Sequence, residues 1–506
     1  MPKRPSPHGP LPFPAHAPNS SYKTCSSSSP NGSNGTHHFG LASSPRTMTT
    51  LLLIAISFYV FCAYVTLGVS HPTVSAVDQV IRVVSNDCEG GEVFGSGSES
   101  WAQYSPYFAV ESYTPPPSGC EINQVNILER HGARYPTKTA HKAIKAALKK
   151  IQSVKAYTDP RMDFIANFTD ELGEDDLVLF GAQESSDAGE QAFERYSFLI
   201  SDDNIPFVRA SSKERVVQSA TNWTAGFAAA SDQKFAPVLS VIISESGNDT
   251  LDDGSCPALS ASSSPSDQTT AWIDTYTTNI TAALNAGAPG AKLDAADTQA
   301  LISLCPFESV ANEERSEWCD LFEDLGAFGG YEYWGDLDKY YNTGYGQPLG
   351  PVQGVGYINE LLARLTNTPV NDSTSTNSTL DSSPITFPLN RTLYADFTHD
   401  NLMIAVYAAM GLFPQAVPLN DTSADPDRTW LASQMVPFAA RMVTERMECG
   451  DVGGSETFVR VLVNEKVMDM SFCGAGADGA CALDAFVESQ AFSRNGGDGL
   501  WEQCFA

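Results

Sequence analysis

A short alternating segment, Gln124–Glu129, runs directly into Arg130-His131-Gly132-Ala133-Arg134-Tyr135-Pro136-Thr137. An Ala-, Lys-, Leu- and Ile-rich stretch, Ala140–Val154, follows. Val125 and Ile127 alternate with polar neighbours, as in a strand. Thr137 or Thr139 is placed to cap a helix through Ala140–Val154, and Gly132 permits a tight turn between the two elements. The arrangement recurs downstream. Leu393, Ala395 and Phe397 alternate into Thr398-His399-Asp400-Asn401, ahead of an apolar helix over Leu402–Met410. Pro206-Phe207-Val208-Arg209-Ala210-Ser211 reads as a short strand ending at Arg209, again with a helix after it. Such junctions predict an α/β fold whose polar residues gather at the carboxyl ends of its strands.

The first junction carries the densest chemistry. Two guanidinium groups and an imidazole lie within five residues, Arg130 to Arg134. A guanidinium fork matches phosphate oxygens two at a time, and free N–H groups at a helix N-terminus favour the same anion. An unprotonated imidazole beside that clamp can attack phosphorus. The segment reads as a phosphate pocket with its nucleophile, His131, built in. No strong metal-ligand cluster appears. Of eight histidines, only His131 and His399 lie in such motifs.

The octapeptide resembles the signature of the histidine acid phosphatases, and fungal phytases in particular. Similar text covers roughly Trp101 to Ala506, including Gln103–Phe108, Gly346–Tyr357 and Trp501–Ala506. Tyr113-Thr114-Pro115-Pro116-Pro117 leans towards the basidiomycete branch. The resemblance implies a three-layer α/β domain built from both ends of the chain, with a smaller, mostly helical domain inserted at about 226–385. It also implies a metal- and cofactor-free hydrolysis of phosphomonoesters, with phytate as substrate and a phosphohistidine intermediate.

Residue roles carry over by position. His131 is the nucleophile and Asp400 the general acid; read alone, Asp400 is better taken as an N-cap, and the octapeptide and matching strand context favour the acid. Arg130, Arg134 and His399 bind the phosphoryl group, and Asn401 orients phosphate or water. A transferring phosphoryl group has three equatorial oxygens to hold, so a third arginine is expected. The Phe-Val-Arg-Ala-Ser context assigns that place to Arg209, and Arg215 is expected on a helix surface. A general acid must enter protonated, although helix start and arginines lower its pKa. Bound phosphate and acidic pH work against that lowering, so an acidic optimum is expected.

By the same resemblance Cys120 pairs with Cys449, Cys256 with Cys504, Cys305 with Cys319 and Cys473 with Cys481. Cys88 is left over, because the family's usual partner is replaced by the glycine-rich Gly90–Gly97.

The remaining segments set the compartment. Residues 1–47 are a polar tail with Lys3, Arg4, Lys23 and Arg46 and no acidic residue, expected to be disordered. Leu51–Val69 is an uncharged apolar stretch, read either as a cleaved signal or as a retained signal-anchor that spans the membrane. Residues 71–100 read as a stem. Asn-x-Ser/Thr acceptors at Asn167, Asn222, Asn248, Asn279, Asn371, Asn377, Asn390 and Asn420 suggest a glycosylated surface. A secreted or cell-surface glycoprotein, monomeric, fits these features.

Net charge is −30. That excludes nucleic acid as a partner and opposes a polyphosphorylated substrate at long range, so local cations must win. Lys138 and Lys142 are candidates at the mouth of the site. The alternatives to a phytase are a broad-specificity acid phosphatase and a glycosylated surface protein that binds without catalysis.

Overall fold

A computed structural model describes residues 94–95, 97–261, 266–450, 455–476 and 478–506, without the side chains of 260 and 261. The polar tail, Leu51–Val69, Cys88 and most of the 71–100 stem lie outside these residues. The described residues belong to one unit, Ile81–Ala506.

β1 (Cys120–Arg130) is longer than its alternating segment and is buried from Gln124 to Arg130. α1 (Lys138–Ile151) starts at Thr137, whose side chain accepts the Ala140 N–H. α2 (Leu179–Tyr196), β2 (Phe207–Ser211), α3 (Glu214–Ala230) and β3 (Leu239–Ile243) follow. Between β3 and β4 (Leu393–Thr398) the chain is helical, with short helices between Pro257 and Asp324 and then α4 (Phe328–Asn342) and α5 (Val355–Thr366). α6 (Asp400–Met410), β5 (Arg441–Cys449), β6 (Glu456–Val463), β7 (Lys466–Val467) and β8 (Cys481–Ala482) complete the sheet.

The strand order is β3-β2-β4-β1-β5-β6-β7, with β8 on β6. β1 to β4 are mutually parallel, whereas β5 runs antiparallel to β1 and β6 antiparallel to β5. On one face Val125, Ile127, Val208 and Ala395 pack under Ala192 of α2 and Trp223 of α3. On the other, Leu128, Phe207 and Tyr394 meet Ile358 of α5 and Met403 of α6. Helices on both faces explain why β1 and β4 read as nearly continuous burial rather than clean alternation.

A separate core unites Ile144 and Leu148 of α1 with Leu284, Leu301 and Trp318. Phe94 and Trp101 belong to it and are fully buried. The helical part therefore draws on more of the chain than 226–385. Conversely, β3 and α5, both inside that range, are layers of the main sheet. The stem boundary also moves, because Phe94 already packs edge-on against Phe180.

Cys120–Cys449, Cys256–Cys504, Cys305–Cys319 and Cys473–Cys481 are bonded. Disulfides persist in oxidising compartments, which places the domain in the secretory pathway. Among the described residues no helix is long and apolar enough to cross a membrane. Asn167, Asn248, Asn279, Asn371, Asn390 and Asn420 are exposed, and Asn222 and Asn377 are half-buried.

Candidate active site

The parallel pairing of β1 with β4 sets Arg130 opposite Thr398. The next residues, His131 and His399, leave the sheet side by side, with ring centroids 5.7 Å apart. The His131 N–H donates to the Thr398 carbonyl at 3.0 Å, tying the two junctions together.

Two further hydrogen bonds hold the loop after β1. The Ala133 N–H donates to Glu184 Oε2 at 2.7 Å and the Gly132 N–H to Ser219 Oγ at 3.0 Å. A Cβ on Gly132 would sit 2.1 Å from the Gly181 carbonyl oxygen, and one on Gly181 would sit 2.0 Å from that of Ala133. Gly132 is thus required for close approach to the start of α2, and its φ is not left-handed. The expected tight turn gives way to this packing reason.

His131 Nδ1 lies 2.8 Å from the Gly132 carbonyl. A carbonyl only accepts, so Nδ1 carries the proton and Nε2 of the neutral ring keeps its lone pair. Burial, then the charges of Arg215, Arg130 and Arg134, hold His131 well below the usual imidazole range. The ring is a neutral base of fixed tautomer.

Arg130 Nη1 donates to the carbonyls of Gln103 and Val436, and its Nη2 lies 3.2 Å from Asp400 Oδ2. Arg134 Nη1 donates to the Tyr135 carbonyl at 2.9 Å. Asp400 also pairs with Lys339 Nζ at 2.9 Å. Burial pushes the Asp400 carboxyl up, but Arg130 and Lys339 outweigh it and hold it well below the usual carboxylate range. Asn401 Oδ1 accepts from Lys339 Nζ at 2.8 Å, so Asn401 fixes this lysine beside the acid.

The third arginine is not Arg209. β2 continues to Ser211, which leaves Arg209 in mid-strand, in register with Asp396. Its guanidinium is taken up by Asp396 at 2.8 Å and Glu360 at 2.6 Å. The residue that reaches the site is Arg215, in the first turn of α3, with Nη2 3.5 Å from His399 Nδ1. It is not a surface residue, and burial beside Arg134 lowers its guanidinium to about 10. The strand-to-helix rule, applied to the helix start rather than to the strand end, is the signal that would have found it.

Lys138 and Lys142 are exposed on α1, and neither side chain is ion-paired among the described residues. Sequence reasoning also missed Lys339, Glu184 and Glu245. Lys339 lies on α4 with no local motif, and only the tertiary fold brings it to Asp400.

Residues 121–464 match the family described as the histidine phosphatase superfamily, branch 2. Phytase A of Aspergillus oryzae is 38% identical over 83% of this chain and 93% of the relative. Phytase A of Neurospora crassa is 37% identical, over 90% of this chain and all of the relative. Among solved structures, the phytase from D. castellii aligns with a TM-score of 0.64 at 22% identity, covering 81% of this chain and 87% of that one. A Bifidobacterium longum multiple inositol polyphosphate phosphatase, solved with inositol hexasulfate, aligns with a TM-score of 0.59 at 15% identity, covering 78% and 98%. At these identities the two structures show the shared fold.

Proposed function

The chain belongs to branch 2 of the histidine phosphatase superfamily and is a phosphomonoesterase of that family, and from this premise we propose that it is a secretory-pathway phytase acting through a phosphohistidine. The observation that carries the reading is the fixed tautomer of His131 inside a cluster of cations. Its Nε2 lone pair attacks phosphorus while Arg130, Arg134, Arg215 and His399 spread the charge of the phosphoryl oxygens. The P–O bond to the inositol breaks, and Asp400 protonates the leaving alkoxide. Water then attacks the P–N bond, Asp400 takes a proton from it, and inorganic phosphate leaves with His131 restored.

Asp400 is ionised in its present surroundings, so it must gain a proton before the first step. An arriving phosphate dianion competes for Arg130 and Lys339, weakening what holds the carboxyl low, and acidic solution supplies the proton. Activity is therefore expected to peak below neutrality. Phytate as substrate is supported by the Phytase A relatives. A broad acid phosphatase would use the same central residues and differ at the rim.

The test is phosphate release from phytate and from nitrophenyl phosphate, side by side, at about pH 5 with a chelator present. A preference for phytate that His131→Ala abolishes supports the proposal. Preference for the small ester reassigns the protein as a general acid phosphatase. Inactivity on both overturns the hydrolase mechanism.

A further inference from the structure

His399 is gripped from two sides. Its Nε2 lies 3.1 Å from Glu245 Oε1, and its Nδ1 lies 3.5 Å from Arg215 Nη2. Glu245 follows β3 and is itself fixed by the segment joining β2 to α3. Its Oε1 accepts from Ser211 Oγ at 3.0 Å and from the Lys213 N–H at 3.1 Å, and its own N–H donates to Ser212 Oγ at 3.2 Å. The segment that aims Arg215 therefore also aims Glu245.

An imidazole can occupy its site in two flips that exchange nitrogens for carbons, with almost the same shape. A carboxylate only accepts, so a partner at one nitrogen selects both flip and tautomer. We propose that Glu245 is the positioning residue for His399, holding Nε2–H so that the Nδ1 lone pair stays turned towards Arg215 and accepts from the guanidinium that grips the phosphoryl group. This rests on the hydrolase reading above. In the other flip a carbon would face Arg215, and the hydrogen bond that steadies this guanidinium beside the transferring group would be lost.

The surroundings favour hydrogen bonding over a cation site. Glu245, Asp252 and His399 bring one ligand atom each within 4.8 Å of one another, a spacing that a divalent ion can use. Yet Glu245 Oε1 already serves three donors, and the Arg215 guanidinium sits at the other ring nitrogen. Asp252 Oδ1 stands 3.9 Å from Nε2, outside hydrogen-bond distance. The remaining charged or titratable groups that act on His399 are Asp253, from the same loop as Asp252, and His131. The Glu245 carboxyl is lowered to about 2, first by its bond to His399, so it is an acceptor throughout the working range.

The test compares Glu245→Ala and Glu245→Gln with the unaltered protein, with a chelator present. The measurements are kcat and KM for nitrophenyl phosphate, melting temperature, and nitrogen NMR of the His399 ring. A glutamine keeps an oxygen that accepts Nε2–H. Glu245→Ala is expected to lower kcat by about 100-fold, the cost of a small misplacement in an active site. Glu245→Gln should restore kcat to within a few fold, and the Nε2–H signature should be present with Glu or Gln and lost with Ala. Full activity in Glu245→Ala overturns the proposal, as does equal loss in both variants with an unaltered ring signal. Zinc binding by the unaltered protein, measured separately without the chelator, that Glu245→Ala abolishes would replace it with a cation site. If the unaltered protein hydrolyses neither ester, the hydrolase reading fails, and the ring signal still decides how His399 is held.

Discussion

Two clusters of cationic side chains, one holding Arg209 and the other Arg215 six residues on, are organised in opposite ways. Between β2, β4 and α5, Arg209 and Arg364 meet Asp396 and Glu360, two cations against two carboxylates. At the carboxyl ends of β1 and β4, Arg130 and Lys339 share Asp400, while Arg134 and Arg215 form no ion pair among the described residues. The first cluster is electrically closed; the second has positive charge left over. Closure of the first serves cohesion, because a buried charge without a partner is costly. The excess in the second adds to burial in lowering the His131 ring and leaves room for an anion to complete the balance. Two arginines six residues apart thus take unrelated roles, set by whether the residue falls in a strand or in the first helical turn beyond it.

Substitution tests this contrast most directly. Arg209→Ala leaves Glu360 without its cation and Asp396 with Arg364 alone, and should destabilise the fold by about 3–5 kcal/mol, while the molecules that remain folded keep their kcat. Melting temperature and kcat measured on one preparation check this; a normal melt with lost activity would break the comparison. Arg215→Ala should do the reverse, lowering kcat by about 10²–10³-fold with little change in melting, as when one preorganised donor is removed.

A third expectation concerns pH. Burial raises Glu129 from 4.5 to about 8 and Glu184 to about 7. Both bind protons more tightly when folded, so the stability they contribute is complete below about pH 4.5 and is lost as pH rises through 7 to 8. Melting temperature should fall across that window, and Glu129→Gln should flatten the slope. The smallest effect is expected at the rim. Lys138→Ala or Lys142→Ala should change KM for phytate by no more than a few fold and leave nitrophenyl phosphate hydrolysis unaltered, as suits exposed and unpaired lysines.

Much of this molecule is legible in its sequence because the relevant signals are local. The alternation before Arg130, the Thr137 cap and the apolar run after Asp400 each report on neighbouring residues, and their elements form where the pattern puts them. What escaped depends on distant partners. The length of β2, and hence the fate of Arg209, is settled by pairing with β3 and β4. Lys339 reaches Asp400 across 61 positions, and Glu184 holds Ala133 from another helix. Gly132 was visible as a glycine, but its purpose lies in a second glycine, Gly181, that no spacing rule connects to it. The helical part has boundaries that composition does not mark, since its core borrows α1 and Phe94 from far upstream.

The position of β1 in the sheet has a consequence for how the protein is made. β1 ends at Arg130, yet its two neighbours are β4, from Leu393, and β5, from Arg441. A chain synthesised from its N-terminus exposes this strand, with His131 just beyond its tip, while more than half of the molecule is still to come. Neither of its edges can be paired before then, and unpaired strands of this kind invite association with other chains. Assembly of the sheet, closure of Cys120 onto Cys449 and completion of the candidate site all await the last quarter of translation. Truncation near the C-terminus should therefore yield no partly active fragment, and catalytic competence should arrive late and together with the finished fold.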